Sequence, residues 1–211
     1  LSAEASVSAL PKVAKFAQAG MFDMARATDL LTDAQSALGL TMRNDAIANM
    51  NNMVHVSDVL VKANTLANAS VEQFSIALTN KAGPAMKSVG MDIEEGVAVL
   101  AAFADQGIKA EEGGTQFAIV LRELQRRALE NTKAFKKYNV TVFDNAGEMR
   151  NMGDILGDLD KAYVGLSDAQ RKSMLAEMGF ADRSVISLLA LKDMSGAVKT
   201  YEEQLREASG T

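Results

Sequence analysis

Phe117-Ala118-Ile119-Val120-Leu121-Arg122-Glu123-Leu124-Gln125-Arg126-Arg127-Ala128 decides the fold class. Phe117, Val120, Leu121, Leu124 and Ala128 recur at three- and four-residue intervals, which stacks them along one side of an α-helix. Met152, Ile155, Leu156, Leu159 and Tyr163 repeat the pattern, so both runs read as stripes facing a core rather than as ligand boxes. The rest of the chain agrees. About one residue in six is Ala, with 12 Met, 2 Pro and no Trp, and aromatics make up only 5%. Ala and Met are among the residues that lose least on entering a helix.

The punctuation is helical too. Ser70-x-x-Gln73, Asp92-x-x-Glu95 and Ser167-x-x-Gln170 have the form of capping boxes or their Asp analogue. Gly20, Gly39, Gly83-Pro84, Gly90, Gly107, Gly113-Gly114, Gly165 and Gly179 stand between or at the ends of periodic runs, where a helix can stop. The spacing predicts helices over 11–19, 22–37, 42–66, 71–82, 92–106, 112–129, 132–138, 151–163, 168–178, 182–191 and 194–207, with Pro11 in the first turn of its helix. One stretch departs from the period. Val140-Thr141-Val142-Phe143 is β-branched and aromatic, Asp144-Asn145-Ala146-Gly147 is turn-forming, and Glu148-Met149-Arg150 is extended in character. These residues predict a small β-hairpin over about 140–150, turning at Asp144, Asn145 and Gly147, with Gly147 at positive φ and the pair lying against a helix.

The expected architecture is mostly α, a compact array of short antiparallel helices with that one β-hairpin. It spans 1–211 either as one unit or as two sub-bundles split near 84–91. A weak repeat runs through it: Phe16-Ala17-x-x-Gly20 with Thr28 matches Phe103-Ala104-x-x-Gly107 with Thr115, and Leu10 and Val13 match Val97 and Leu100. Chance agreement among helical hairpins explains this equally well.

Composition removes whole classes of chemistry. A chain 48% hydrophobic and 23% charged is globular rather than disordered. Having no Cys excludes disulfides, Cys-type zinc sites, Fe–S clusters and thiol catalysis, and a single His leaves no two-His zinc site. A net charge of -5 argues against a general nucleic-acid coat. No run of 18 apolar residues suggests a membrane span, and the opening Leu1-Ser2-Ala3-Glu4 lacks a basic signal-peptide start, so the chain reads as a piece of a longer protein.

The remaining candidates have ordinary readings. His55, between Val54 and Val56, has no second ligand and suits packing or surface. Asp154, Asp158 and Asp160 lack the loop of a calcium site, as does Asp144-Asn145-Ala146-Gly147-Glu148. Glu94-Glu95 and Glu111-Glu112 could serve as a glycosidase pair but sit where acids favour helix N-termini. Gly113-Gly114-Thr115 lacks the strand and Lys of a phosphate loop and fits a close helix crossing better. Arg122, Arg126, Arg127, Lys133, Lys136 and Lys137 form the one basic run, tempered by Glu123 and Glu130. It is either a solvated face or a contact for an acidic partner or passing DNA. No catalytic, cofactor or metal site is expected.

Gly107-Ile108-Lys109 with Gly113-Gly114-Thr115, Tyr138 through Arg150, Asp154-Ile155-Leu156 and Gly165-Leu166-Ser167-Asp168-Ala169-Gln170 resemble, in order and spacing, the core region of phage tail tape-measure proteins, also called minor tail proteins. The first half is similar more loosely through Leu10-Pro11 and Leu30-Leu31-Thr32-Asp33-Ala34. The family often has Pro where this chain has Asn131 and Asn151, and Phe-Gly where it has Gly179-Phe180. The resemblance implies a non-enzymatic structural protein of a phage or prophage tail, one that templates tail-tube length and assembly and is released during DNA ejection. It would reside in the tail lumen of the virion and in the host cytoplasm during assembly. Its implied partners are tail-tube and tail-tip proteins, tail-assembly chaperones and further copies of itself. Composition alone would also permit a bacterial helical scaffold or signalling module unrelated to phage.

Overall fold

Helices form where stripes and caps coincide. A computed structural model describes the backbone of residues 3–42 and 44–209, with side chains from Leu10 onward. α1 (Ala3–Gly20) and α2 (Met24–Ala37) pack as a hairpin against α3 (Ala46–Leu66). α4 (Val71–Ala77), a π-helical turn (Leu78–Ala82) and α5 (Gly83–Ser88) make one continuous path. α6 (Ile93–Asp105), α7 (Ala110–Glu130) and the short α8 (Thr132–Lys137) follow. Beyond a loop come α9 (Met152–Tyr163), α10 (Asp168–Glu177), α11 (Asp182–Ala190) and α12 (Ser195–Arg206).

α6 is the axis of the fold. All of its residues except Glu95 and Asp105 are buried, as expected of a helix apolar on every side. Its alanines at 98, 101, 102 and 104 keep it thin enough for α3, α4, α7, α9 and α12 to pack around it. The buried side chains form one continuous cluster from Val13 to Leu205. The accessible surface, 10197 Å², is close to the roughly 9,500 Å² expected of a compact protein of this mass.

α7 buries Phe117, Val120, Leu121 and Leu124 against α4, α5 and α6, and α11 packs on its flank. Gly113 and Gly114 lie inside this helix rather than ending one. A Cβ on Gly114 would stand 2.2 Å from the Ala77 carbonyl oxygen, so the two helix backbones are in direct contact there. Just beyond Ala77 the path widens, and Gly83 N–H donates to the Leu78 carbonyl five residues back. In a regular α-helix the Pro84 ring would strike the carbonyl of residue 80. The wider turn relieves that clash, so the chain continues as α5 where the sequence predicts a stop.

Three further expectations are corrected. Pro11 lies within α1, which begins at Ala3, and costs that helix one hydrogen bond. At the end of α1 the left-handed residue is Met21 (φ 56°), whereas α6 is followed by Gly107 (φ 82°). The closing bonds, Phe22 N–H to Ala17 and Ile108 N–H to Phe103, are therefore one residue out of register with the apparent repeat.

The third correction concerns the β-hairpin. Among the described residues there is no strand, and residues 140–150 form a loop closed by one antiparallel bridge between Phe143 and Met149. Asp144 N–H donates to Glu148 and Arg150 N–H to Val142, but the ladder goes no further. Its next donors and acceptors are already engaged. Val140 N–H closes α8 on the Phe135 carbonyl, and Thr141 gives its N–H to Asp158 and its carbonyl to the Arg150 side chain. On the other side Asn151 turns away to cap α9. Val140 and Val142 are buried, so the β-branched residues serve as anchors of a loop.

Candidate functional site

The basic run lies along the second half of α7 and through α8. Glu123, almost buried, draws three guanidinium groups to itself: Arg126 and Arg127 at 3.1 Å and Arg122 at 3.4 Å. Arg127 also pairs with Glu130 at 2.9 Å. Lys137 reaches Glu177 of α10 at 2.6 Å, and Tyr138 donates its hydroxyl to the same carboxylate. The Lys137–Glu177 hydrogen bond raises the Lys137 pKa and lowers that of Glu177. Lys133 and Lys136 are exposed and form no ion pair among the described residues. Of the six predicted cations the structure therefore gathers three, Arg122, Arg126 and Arg127, on Glu123, ties Lys137 to α10, and leaves Lys133 and Lys136 exposed on α8. With its arginines already held by Glu123 and Glu130, this stretch offers little of the clear cation excess on which binding to a run of phosphates draws.

The turn residues are organised by Asp144, whose Oδ1 accepts from the backbone N–H groups of Ala146 and Glu148. Gly147 sits at φ 87°, a region closed to most side chains.

Asp154, Asp158, Asp160 and Glu94 are engaged in internal pairs, whereas Glu111 and Glu112 are exposed in the first turn of α7. Asp158 binds Arg150 at 2.7 Å, and Asp154 binds Lys199, which lowers the Asp154 pKa. Asp160 accepts from the backbone N–H of Asp193 at 2.8 Å and so caps the approach to α12 from another helix. His55 pairs with the buried Glu94 at 2.9 Å, and this hydrogen bond raises the imidazole pKa. No group of three or more His, Asp or Glu among the described residues is placed to hold a metal ion.

A polar junction where α6, α9 and α12 meet was not legible in the sequence. Asp92 caps α6 on Glu95 N–H, but Glu95 does not complete the box; its carboxylate takes the Met152 N–H at 2.6 Å, at the start of α9. Burial pushes the Glu95 pKa up to about 7. Asn151 caps Gly153 N–H and donates to Glu202, and Arg206 joins Glu202 to Asp92, each at 2.7 Å. The contacts that join one helix to another here span 51 to 114 residues, and no local motif signals them.

Comparison with known proteins gives a consistent set of relatives. The profile of the family described as phage-related minor tail protein matches residues 1–179. A tape measure protein of Pneumococcus phage Dp-1 is 26% identical over 187 residues, 89% of this chain and 15% of that protein. A probable tape measure protein of Escherichia phage P2 is 30% identical over 160 residues, 76% of this chain and 18% of that protein. The chain therefore spans less than a fifth of these relatives. No solved structure gives a significant match.

Proposed function

Because the chain belongs to the phage-related minor tail protein family, we propose that it is a folded, non-enzymatic module of a tape-measure protein in a phage or prophage tail. One observation carries the reading of a module rather than a length of ruler. The chain is folded back on itself, so that Arg206 near its end binds Asp92, 114 residues earlier. As one continuous helix, 211 residues would extend about 320 Å; as a packed array they contribute far less.

On this reading the module acts in assembly, through contacts with tail-tube and tail-tip proteins and assembly chaperones in the host cytoplasm, and leaves the tail with the DNA. The charged outer face of α7 is where it meets another protein. The engagement of Glu94, Glu95, Asp154, Asp158, Asp160 and His55 in internal pairs supports the absence of catalysis.

The test is an in-frame deletion of residues 1–211 in the phage. Loss of assembly or infectivity with tail length little changed is expected. Infectious particles with tails uniformly shorter by about 320 Å would mean that the segment is extended ruler.

A further inference from the structure

α12 is docked with few apolar anchors. Of its 12 residues only Val198 and Leu205 are buried. Against α9 it lies over Gly153, where a Cβ would stand 2.7 Å from Lys199 Cγ. Its other ties are polar: Lys199 to Asp154, the Tyr201 hydroxyl to Asp105 at 2.6 Å, and Arg206 to Asp92 at 2.7 Å. Both partners of each ion pair keep nearly half of their side-chain surface in solvent, where such pairs hold weakly. Just before α12, Asp193 takes a left-handed φ of 62° and gives its N–H to Asp160, which makes this turn a defined pivot. Toward its other end three carboxylates, Asp92, Glu95 and Glu202, meet beside one guanidinium, Arg206. Glu202, with only 12% of its side chain exposed, accepts from Asn151, and Glu95 accepts the N–H of the adjoining Met152. With all three acids ionised, this partly buried site carries a clear excess of negative charge.

One proton relieves that excess. We propose that α12 is a strap that pivots at Asp193 and is locked on α6 by a proton on Glu95; when the proton leaves, α12 lifts while α4 and α7 stay folded. Burial, with Glu202 and Asp92 close by, pushes the Glu95 pKa up to about 7 while the strap is shut. Lifting removes Glu202 and admits water, which returns Glu95 to the ordinary carboxylate range. The shut strap therefore binds the proton more tightly than the lifted one, and it loosens as pH climbs from that range through 7. The full shift favours lifting by roughly 70-fold between pH 5 and 8, and solvent at this partly open site reduces that to on the order of tenfold. Of the other groups around the strap, Asp154 is held low by Lys199, Tyr201 is pushed up to about 12 by Asp105, and Arg206 is raised by Asp92 and Glu202, so these three keep one form across the interval. His55, raised by Glu94, ties α3 rather than α12 to α6. Lifting bares the side of α6 that α12 covers, so the proton controls access to the central helix. The inference does not depend on the assignment to a tail.

The experiment is hydrogen exchange of the 211-residue chain, followed by mass spectrometry from pH 5 to 8, with each rate divided by that of an unstructured peptide at the same pH. Residues 195–206 are expected to exchange through an opening that leaves α4 and α7 protected, and its equilibrium constant should rise about tenfold over this range. Glu95→Gln should keep the strap as shut at pH 8 as at pH 5, whereas His55→Gln should leave the rise in place. Since the chain has no cysteine, a second measurement places Val198→Cys beneath the strap and follows its reaction with Ellman's reagent, relative to a free thiol at the same pH. That ratio should climb with pH, and Val120→Cys in α7 should react far more slowly throughout. Exchange of α12 only together with α4 and α7, an opening constant unchanged with pH, a rise that survives Glu95→Gln, or Val198→Cys labelled no faster, relative to the free thiol, at pH 8 than at pH 5 would each overturn the proposal. These readouts use the isolated chain, so their failure leaves the deletion test of the tail assignment untouched.

Discussion

Replacing Gly114 by alanine tests the central packing claim, that α7 and α4 meet backbone to backbone. The added Cβ would lie 2.2 Å from the Ala77 carbonyl oxygen, 2.9 Å from its carbon and 3.0 Å from its Cα. A carbon–oxygen approach relaxes only near 3.3 Å, so the helices must separate by about 1 Å. Every atom in the way is main chain, and no rotamer change can absorb the clash. Overpacking typically costs about 1–3 kcal/mol, and this immovable contact belongs at the upper end. Alanine returns about 1 kcal/mol through its better helix propensity. The net loss is about 2 kcal/mol, a fall in Tm of about 4–8 °C for a domain of this size. Gly157→Ala in α9 is the control, because its nearest neighbour is Ser195 Cβ at 3.9 Å. There only the propensity term acts, and stability should rise by up to about 1 kcal/mol. Thermal melts followed by circular dichroism give both values. Gly114→Ala melting at or above wild type, with Gly157→Ala stabilised as expected, would refute the close crossing.

Gly147→Val should cost about 1–3 kcal/mol; the space around it is open and φ is 87°, so the loss is conformational, and Gly147→Asn should melt closer to wild type. Asn151→Ala removes the cap on Gly153 and the bond to Glu202, and denaturant titration should show a loss of about 1–2 kcal/mol. Stability should fall as pH rises from about 5 to 8. Glu95 holds its proton up to about pH 7 in the fold, but only to the ordinary carboxylate range when unfolded, so its contribution is full below that range and disappears through pH 7. His55, raised by Glu94, is lost in the same direction as pH climbs through its elevated value. Glu95→Gln should flatten the profile by on the order of 1–2 kcal/mol once solvent screening is allowed for; a Tm that rises with pH over this interval would contradict the assignment.

What the sequence determined by itself is what lies within one helical turn. The stripe from Phe117 to Ala128 and the boxes at Ser70 and Ser167 depend on partners three or four residues away, and each appears where the spacing predicts it. Arg122, Arg126 and Arg127 meet on Glu123 because they too lie within about one helical turn of it.

The tertiary structure decided whatever rests on competition between distant groups. Val140 through Arg150 has the residues of a β-hairpin, yet Asp158, Arg150 and Asn151 take the hydrogen-bonding groups a ladder would need, leaving one bridge. Glu95 has the position of a capping-box acid, but Met152, 57 residues on, offers a free N–H at the start of another helix and takes it. The path through Gly83-Pro84 reads as a stop, and a widened turn carries it on. For the hairpin and the capping box the local preference amounts to about 1 kcal/mol, and the roughly 3 kcal/mol cost of Pro inside a helix is eased by the widened turn. A buried backbone group left without a partner costs about 1–3 kcal/mol, so at Thr141 and at Met152 packing chose the outcome that gave these groups partners.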